Sequence, residues 1–149
     1  MARNAKPEKL VELAVRNWCA KSGWFVKVFD SKAVFSARAG IYKANPNIQM
    51  GCPDLLGCTN DGHFVCIELK APGKESICRK DQYLFLKDAI KSGAFACVIS
   101  SSERLSEIYS EWGRLRTESQ ELSQKFLIES LPKKIELKVG KTKRIVHIS

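Results

Sequence analysis

No stretch of this 149-residue chain approaches the run of about 20 apolar residues that a membrane-spanning helix needs. The opening Met-Ala-Arg-Asn-Ala-Lys-Pro lacks the apolar core of a secretory leader, so a cytoplasmic protein without a membrane partner is expected. Histidine occurs only at His63 and His147, and the six cysteines (19, 52, 58, 66, 78 and 97) form no C-x-x-C pair. Such scatter speaks against zinc and, in a reducing compartment, against disulfides; most of the cysteines read as small core residues and the lone histidines as structural. P-loop, G-x-G-x-x-G, H-E-x-x-H and G-x-S-x-G patterns are all missing, so no nucleotide cofactor is expected. Neither an internal repeat nor a low-complexity tract is present. Acids are scarce too: 16 against 25 Lys and Arg, a formal net charge of +9. That excess points to a polyanionic partner, nucleic acid ahead of an anionic membrane surface, and says nothing about fold.

A hydrophobic content of 44% and a charged content of 28% fit a globular chain, and the length predicts one domain with a real core. Its most informative stretch is residues 51–70. Asn60-Asp61-Gly62 separates two apolar runs, which predicts a hairpin because Asn60 and Gly62 tolerate the positive φ of a tight turn. Folding back brings Asp54 near Glu68. Alternation along the second strand puts Phe64, Cys66, Glu68 and Lys70 on one side, with Val65, Ile67 and Leu69 facing a core on the other.

Two carboxylates at one hairpin end suit a hard divalent cation such as Mg²⁺ or Mn²⁺, which takes one or two carboxylates plus waters and substrate phosphate. A metal so held lowers the pKa of its water and neutralises charge on phosphate oxygens. Lys70, one pleat beyond Glu68, is placed to hold either the attacking water or the scissile phosphate. No covalent nucleophile is required.

Elsewhere the patterns predict the remaining elements. Pro7 opens a helix whose apolar positions Leu10, Val11, Ala14, Val15, Trp18 and Cys19 recur at helical spacing until Gly23, with Glu8 and Glu12 stacked on one face. Residues 24–29 form an aromatic, β-branched strand interrupted by Lys27. Residues 30–50 read as a long connection in which Lys32, Arg38, Tyr42 and Lys43 suit a DNA backbone, or else as a plain loop around Asn45-Pro46-Asn47. Ala71-Pro72-Gly73 stops the hairpin strand, and a helix from about Arg79 to Ser92 turns Phe85, Leu86, Ala89 and Ile90 inward. Residues 95–99 predict a buried parallel strand. Ser100-x-x-Glu103 has capping-box spacing for a last helix with a stripe of Leu105, Ile108, Tyr109, Trp112 and Leu115. Beyond it the pattern loosens through Ser130. A second hairpin is predicted from residues 135–139, Gly140-Lys141 and 144–148; its segment from Pro132 onward holds six Lys or Arg and one acid. It reads as a DNA arm carrying Lys141, Lys143 and Arg144, as a contact between two copies, or as a basic edge that discourages aggregation.

Pro53-Asp54, thirteen residues, then Glu68-Leu69-Lys70 resembles the PD-(D/E)XK nuclease pattern. The surroundings, Gly51-x-Pro-Asp-Leu-Leu-Gly57 and Phe64-Val-Cys-Ile-Glu-Leu-Lys-Ala-Pro-Gly73, look most like the VRR-type branch, small stand-alone phage and bacterial members above all, with Holliday junction resolvases more distant. The resemblance covers residues 8–100. It implies an α/β, restriction-endonuclease-like fold: a mixed central sheet flanked by helices, here with a C-terminal helix and basic hairpin added. It implies a Mg²⁺- or Mn²⁺-dependent endodeoxyribonuclease, with Asp54, Glu68 and the Leu69 carbonyl at the metal and Lys70 and Gln82 completing the site. A first-helix glutamate also belongs to the metal site in that family; Glu8 and Glu12 both match, and Glu12 is preferred. Relatives often carry a lysine where Lys27 stands. They usually have a serine at the position of Arg79, a departure that adds a phosphate-binding candidate beside Lys80. Resolvase-like members work as dimers, which keeps a homodimer open. So do a non-catalytic DNA-binding module of the same fold and a nuclease acting on RNA.

Overall fold

Pro7 does open the first helix, α1 (Pro7–Lys21), in a computed structural model that describes residues 6–29, 34–43 and 51–148. Val11, Val15 and Cys19 form its buried stripe, and Gly23 leaves it at φ 75°, a backbone state that favours glycine. The chain then makes β1 (Phe25–Val28), β2 (Val34–Ser36), β3 (Ile41–Lys43), β4 (Leu55–Cys58), β5 (Phe64–Leu69) and β6 (Ile77–Arg79). It continues through α2 (Lys80–Lys91), β7 (Phe95–Ile99), α3 (Ser102–Glu118), α4 (Gln120–Ser130), β8 (Lys134–Val139) and β9 (Thr142–His147). This is a mixed α/β architecture. Among the described residues no helix is long and apolar enough to cross a membrane.

The predicted hairpin is β4–β5, antiparallel from Leu55↔Ile67 to Cys58↔Phe64, with Gly62 at φ 88° in its turn. It sits inside a four-stranded sheet of order β1-β4-β5-β7, where β1 is antiparallel to β4 and β7 parallel to β5. Residue pairing across strands assigns the faces. Val65 lies beside Phe95, whose ring meets Tyr109 and Trp112 of α3, so α3 covers that face. Glu68 points the other way, to α2, where Gln82 reaches it. Helices therefore cover both faces, and Val65 through Leu69 are all buried. The alternation assigned only Val65, Ile67 and Leu69 to a core; Cys66 and Glu68 are buried as well, because a central strand between helical layers hides both faces.

Four other expectations change. The connection over residues 30–50 contains the β2–β3 hairpin, while Lys32 and Asn45-Pro46-Asn47 lie outside the described residues. The loosened pattern before Ser130 is a helix, α4, hidden because Ser123 and Leu127 alone are fully buried on it. Ser101 rather than Ser100 caps α3, accepting the Arg104 N–H at 3.1 Å, and Ser119 closes α3 and caps α4. The terminal hairpin joins β6 in a second mixed sheet, β6-β8-β9, with β6 and β8 parallel. Leu127, Leu131, Ile135 and Ile148 pack into the same core as β5 and β7, so the C-terminal third is built onto it.

Gly57 marks a tight spot. A Cβ there would stand 1.9 Å from the Phe25 carbonyl oxygen and 2.7 Å from the Val26 Cα. Backbone cannot give way as a side-chain tip can, so Gly57→Ala must push β1 off β4. We expect a loss at the upper end of the ~1–3 kcal/mol typical of overpacking, with urea denaturation as the measurement; a midpoint equal to the parent's would refute this.

Candidate active site

Asp54 stands just before β4, and the hairpin register sets it across from Glu68. Two neighbouring strands hold it. Its carbonyl accepts the Phe29 N–H at 2.8 Å, and its carboxylate Oδ2 accepts the Leu69 N–H at 2.9 Å. Leu69, nominated for its carbonyl, thus also orients the first carboxylate through its N–H.

Glu68 is only 4% exposed. Its Oε1 accepts from Gln82 Nε2 at 2.9 Å, and Gln82 Oε1 in turn accepts the backbone N–H of Arg79 at 3.1 Å. Capping the N-terminus of α2 therefore fixes which end of the amide faces the carboxylate. The other oxygen, Glu68 Oε2, is buried without a hydrogen-bond partner. Burial above all, then the charge and contact of Asp54, push the Glu68 carboxyl up to about 8, with Lys70 opposing. A buried carboxylate oxygen left unsatisfied beside a second carboxylate is what a hard divalent cation satisfies, so the donor set fits Mg²⁺ or Mn²⁺.

The loop carrying Pro53-Asp54 is pressed onto α2. Gly51 sits at φ 84°, and a Cβ there would lie 2.3 Å from the Asp81 carbonyl oxygen. Cys52 is buried beside the pair, its thiol pushed up by burial and by the Glu68 and Asp54 charges. Cys78 is likewise pushed up, to about 11, chiefly by burial. Neither thiol is poised to react.

Lys70 is half-buried, its N–H donated to the Ile99 carbonyl at 2.9 Å. Its side chain lines a recess of about 490 Å³ with Glu8, Lys74, Ser76, Ile77 and Glu136. Of the two helix acids, Glu8 shares this recess, while Glu12 is ion-paired with Lys9. Among the described residues no group of three or more His, Cys, Asp or Glu is arranged to hold a metal ion.

The basic candidates are spread out. Lys27, beside the Phe25 ring, lies opposite Leu56, itself opposite Cys66, which puts it on the Glu68 face of the sheet. Arg38 is exposed between β2 and β3, and Lys43 ends β3 opposite Val34. Arg79 and Lys80 are exposed where β6 passes into α2, Arg79 lying 3.4 Å from Asp81. Lys141, Lys143 and Arg144 are exposed in the terminal hairpin.

Sequence reasoning missed Glu136: nothing local foretells that β8 pairs with β6 and so reaches the Lys70 recess. It also missed the partner of His63. At the turn end of the hairpin, far along β5 from Glu68, the His63 Nε2 lies 2.6 Å from the Arg116 guanidinium, which stacks over Trp112 at 4.2 Å. Arginine can only donate, so that ring nitrogen accepts, and His63 ties the turn to α3. A comparison with known proteins finds no matching family model, curated protein or solved structure.

The raised Glu68 carboxyl has a measurable sign. Between the ordinary 4.5 and about 8 the folded chain holds a proton that the unfolded chain releases, so the metal-free protein should lose stability as pH rises through that window. Thermal melts in chelator should show this decline, and Glu68→Gln should flatten it. A variant that declines in parallel with the parent would assign the effect to other groups.

Proposed function

We propose that this chain is a metal-dependent nuclease that hydrolyses phosphodiester bonds in DNA, of the PD-(D/E)XK kind and the VRR-type branch that its motif resembles. The observation that carries the reading is the Asp54–Glu68 pair with Glu68 Oε2 unsatisfied and Lys70 one pleat away. The order of helix, strand, hairpin, helix and parallel strand supports the fold part of it.

Asp54 and Glu68 would hold Mg²⁺ or Mn²⁺, which when bound supplies an activated water and neutralises charge on the phosphate. The chain's own residues do the remaining work. Gln82 presents its NH₂ to Glu68 Oε1, leaving Oε2 without a protein partner. The Leu69 N–H holds Asp54 in a fixed rotamer. Lys70, whose charge acts on Glu68 and whose side chain lines the recess, would stabilise a phosphate or orient the water. The net charge of +9 draws the polyanion in, Lys70 and Lys74 line the recess, and Arg79 and Lys80 are exposed where β6 passes into α2.

Labelled branched, flapped and linear DNA incubated with Mg²⁺ or Mn²⁺ should be cut, and chelator should stop it. Asp54→Ala and Glu68→Ala should lower cleavage by roughly 10²–10³-fold or more while keeping or strengthening DNA binding. Binding without cleavage in the parent would make the chain a DNA-binding module, and preferential cutting of RNA would change the substrate. For the helix acid, calorimetric titration with Mn²⁺ should rank Glu8→Gln as more damaging than Glu12→Gln, since only Glu8 shares the recess with Lys70; the opposite ranking returns the role to Glu12.

A further inference from the structure

Resting on the nuclease reading, we propose that the outward face of the β6-β8-β9 sheet is the surface that grips the DNA backbone beside the scissile phosphate. Its phosphate contacts are Arg79, Lys134, Lys138 and Lys143. Arg144 and Lys141 lie outside it.

Strand pairing separates the two faces. Cys78 on β6 lies beside Ile135 on β8, which lies opposite Val146 on β9. Cys78 is buried and Ile135 packs against the core, so this row faces inward. Arg144, opposite Leu137, stands on that same side of the sheet, turned away from the outward face though exposed on the edge strand β9, and Lys141 belongs to the turn. The alternate rows face outward: Ile77 and Arg79 on β6, Lys134, Glu136 and Lys138 on β8, Lys143, Ile145 and His147 on β9.

That outward face is continuous with the Lys70 recess, because Ile77 and Glu136 both line it. It bears four cations and a single acid, Glu136, which Lys143 already answers at 3.3 Å. Lys138 and Lys143 stand directly opposite one another, both exposed, and like charges so placed repel until an anion comes between them. Two residues along β8 cover about 6.8 Å, so this pair stands roughly two nucleotide rises from the recess on the ~3.4 Å spacing along one strand. β6 runs directly into α2, where Gln82 holds Glu68, so the gripping face and the carboxylate pair share one continuous piece of backbone.

The test uses the full chain in chelator, so that binding is read without cleavage. Affinity for a short labelled DNA duplex is followed by fluorescence anisotropy across a salt series. Removing two phosphate contacts should reduce the slope of log K against log salt by about 1.8. We expect that change for Lys138→Ala/Lys143→Ala, and about half of it for Lys138→Ala alone, which breaks no ion pair among the described residues. Lys141→Ala/Arg144→Ala should keep the parent slope. An unchanged slope in both Lys138 variants, or an equal loss in the Lys141/Arg144 pair, overturns the assignment; a folding defect in the double variant leaves the single one to decide. A parallel assay with Mn²⁺ separates the two readings. If the parent binds with these slopes yet never cuts, the nuclease reading fails and the face stands. Cutting with slopes insensitive to Lys138 sinks the face alone.

Discussion

A carboxyl group that is 4% exposed, in the middle of a sheet, with one oxygen unpaired, is the constraint from which this architecture follows. Leaving a buried polar atom unsatisfied is costly, and burying a charge more so. The chain meets part of that cost with an amide and the rest by raising the carboxyl toward the neutral form. The surroundings of the carboxyl keep the arrangement fixed: Asp54 is tied to both flanking strands, Gln82 is held at both ends, and Gly51 lets the loop press on the start of α2.

Rigidity at that end depends on packing at the other. Trp18, Trp24, Phe95 and Tyr109 pack edge to face, with Trp112 tilted against Phe95, in a cluster that joins α1, the entry to β1, β7 and α3. His63 and Arg116 fasten the hairpin turn to the same cluster through Trp112. Such ring pairs add ~0.5–1.5 kcal/mol each beyond their buried area. Phe95 pairs beside Val65, so the cluster packs against the strand that carries Glu68 at its far end.

The second sheet converts a charge surplus into a directed surface. Six basic residues in the terminal segment would be a solvated tail if the hairpin stood alone. Parallel pairing with β6 gives that hairpin an inside and an outside, and joins its outside to the recess of Lys70.

Local pattern was enough for much of this. Period-2 alternation and the Asn-Asp-Gly turn located the hairpin, and through it the meeting of Asp54 and Glu68; helical spacing located α1, α2 and α3; the helix before residues 95–99 told that strand's parallel direction. These are near-neighbour effects, written within a few residues of where they act. The burial of both faces of β5, the helix α4 with its weak stripe, the unpaired Oε2 of Glu68, the seat of Glu8 rather than Glu12 beside Lys70, and the entry of Glu136 into the recess all came from the tertiary structure. Each depends on which distant segment packs where. Such pairings are decided by the summed burial of the whole chain, which no window of sequence contains.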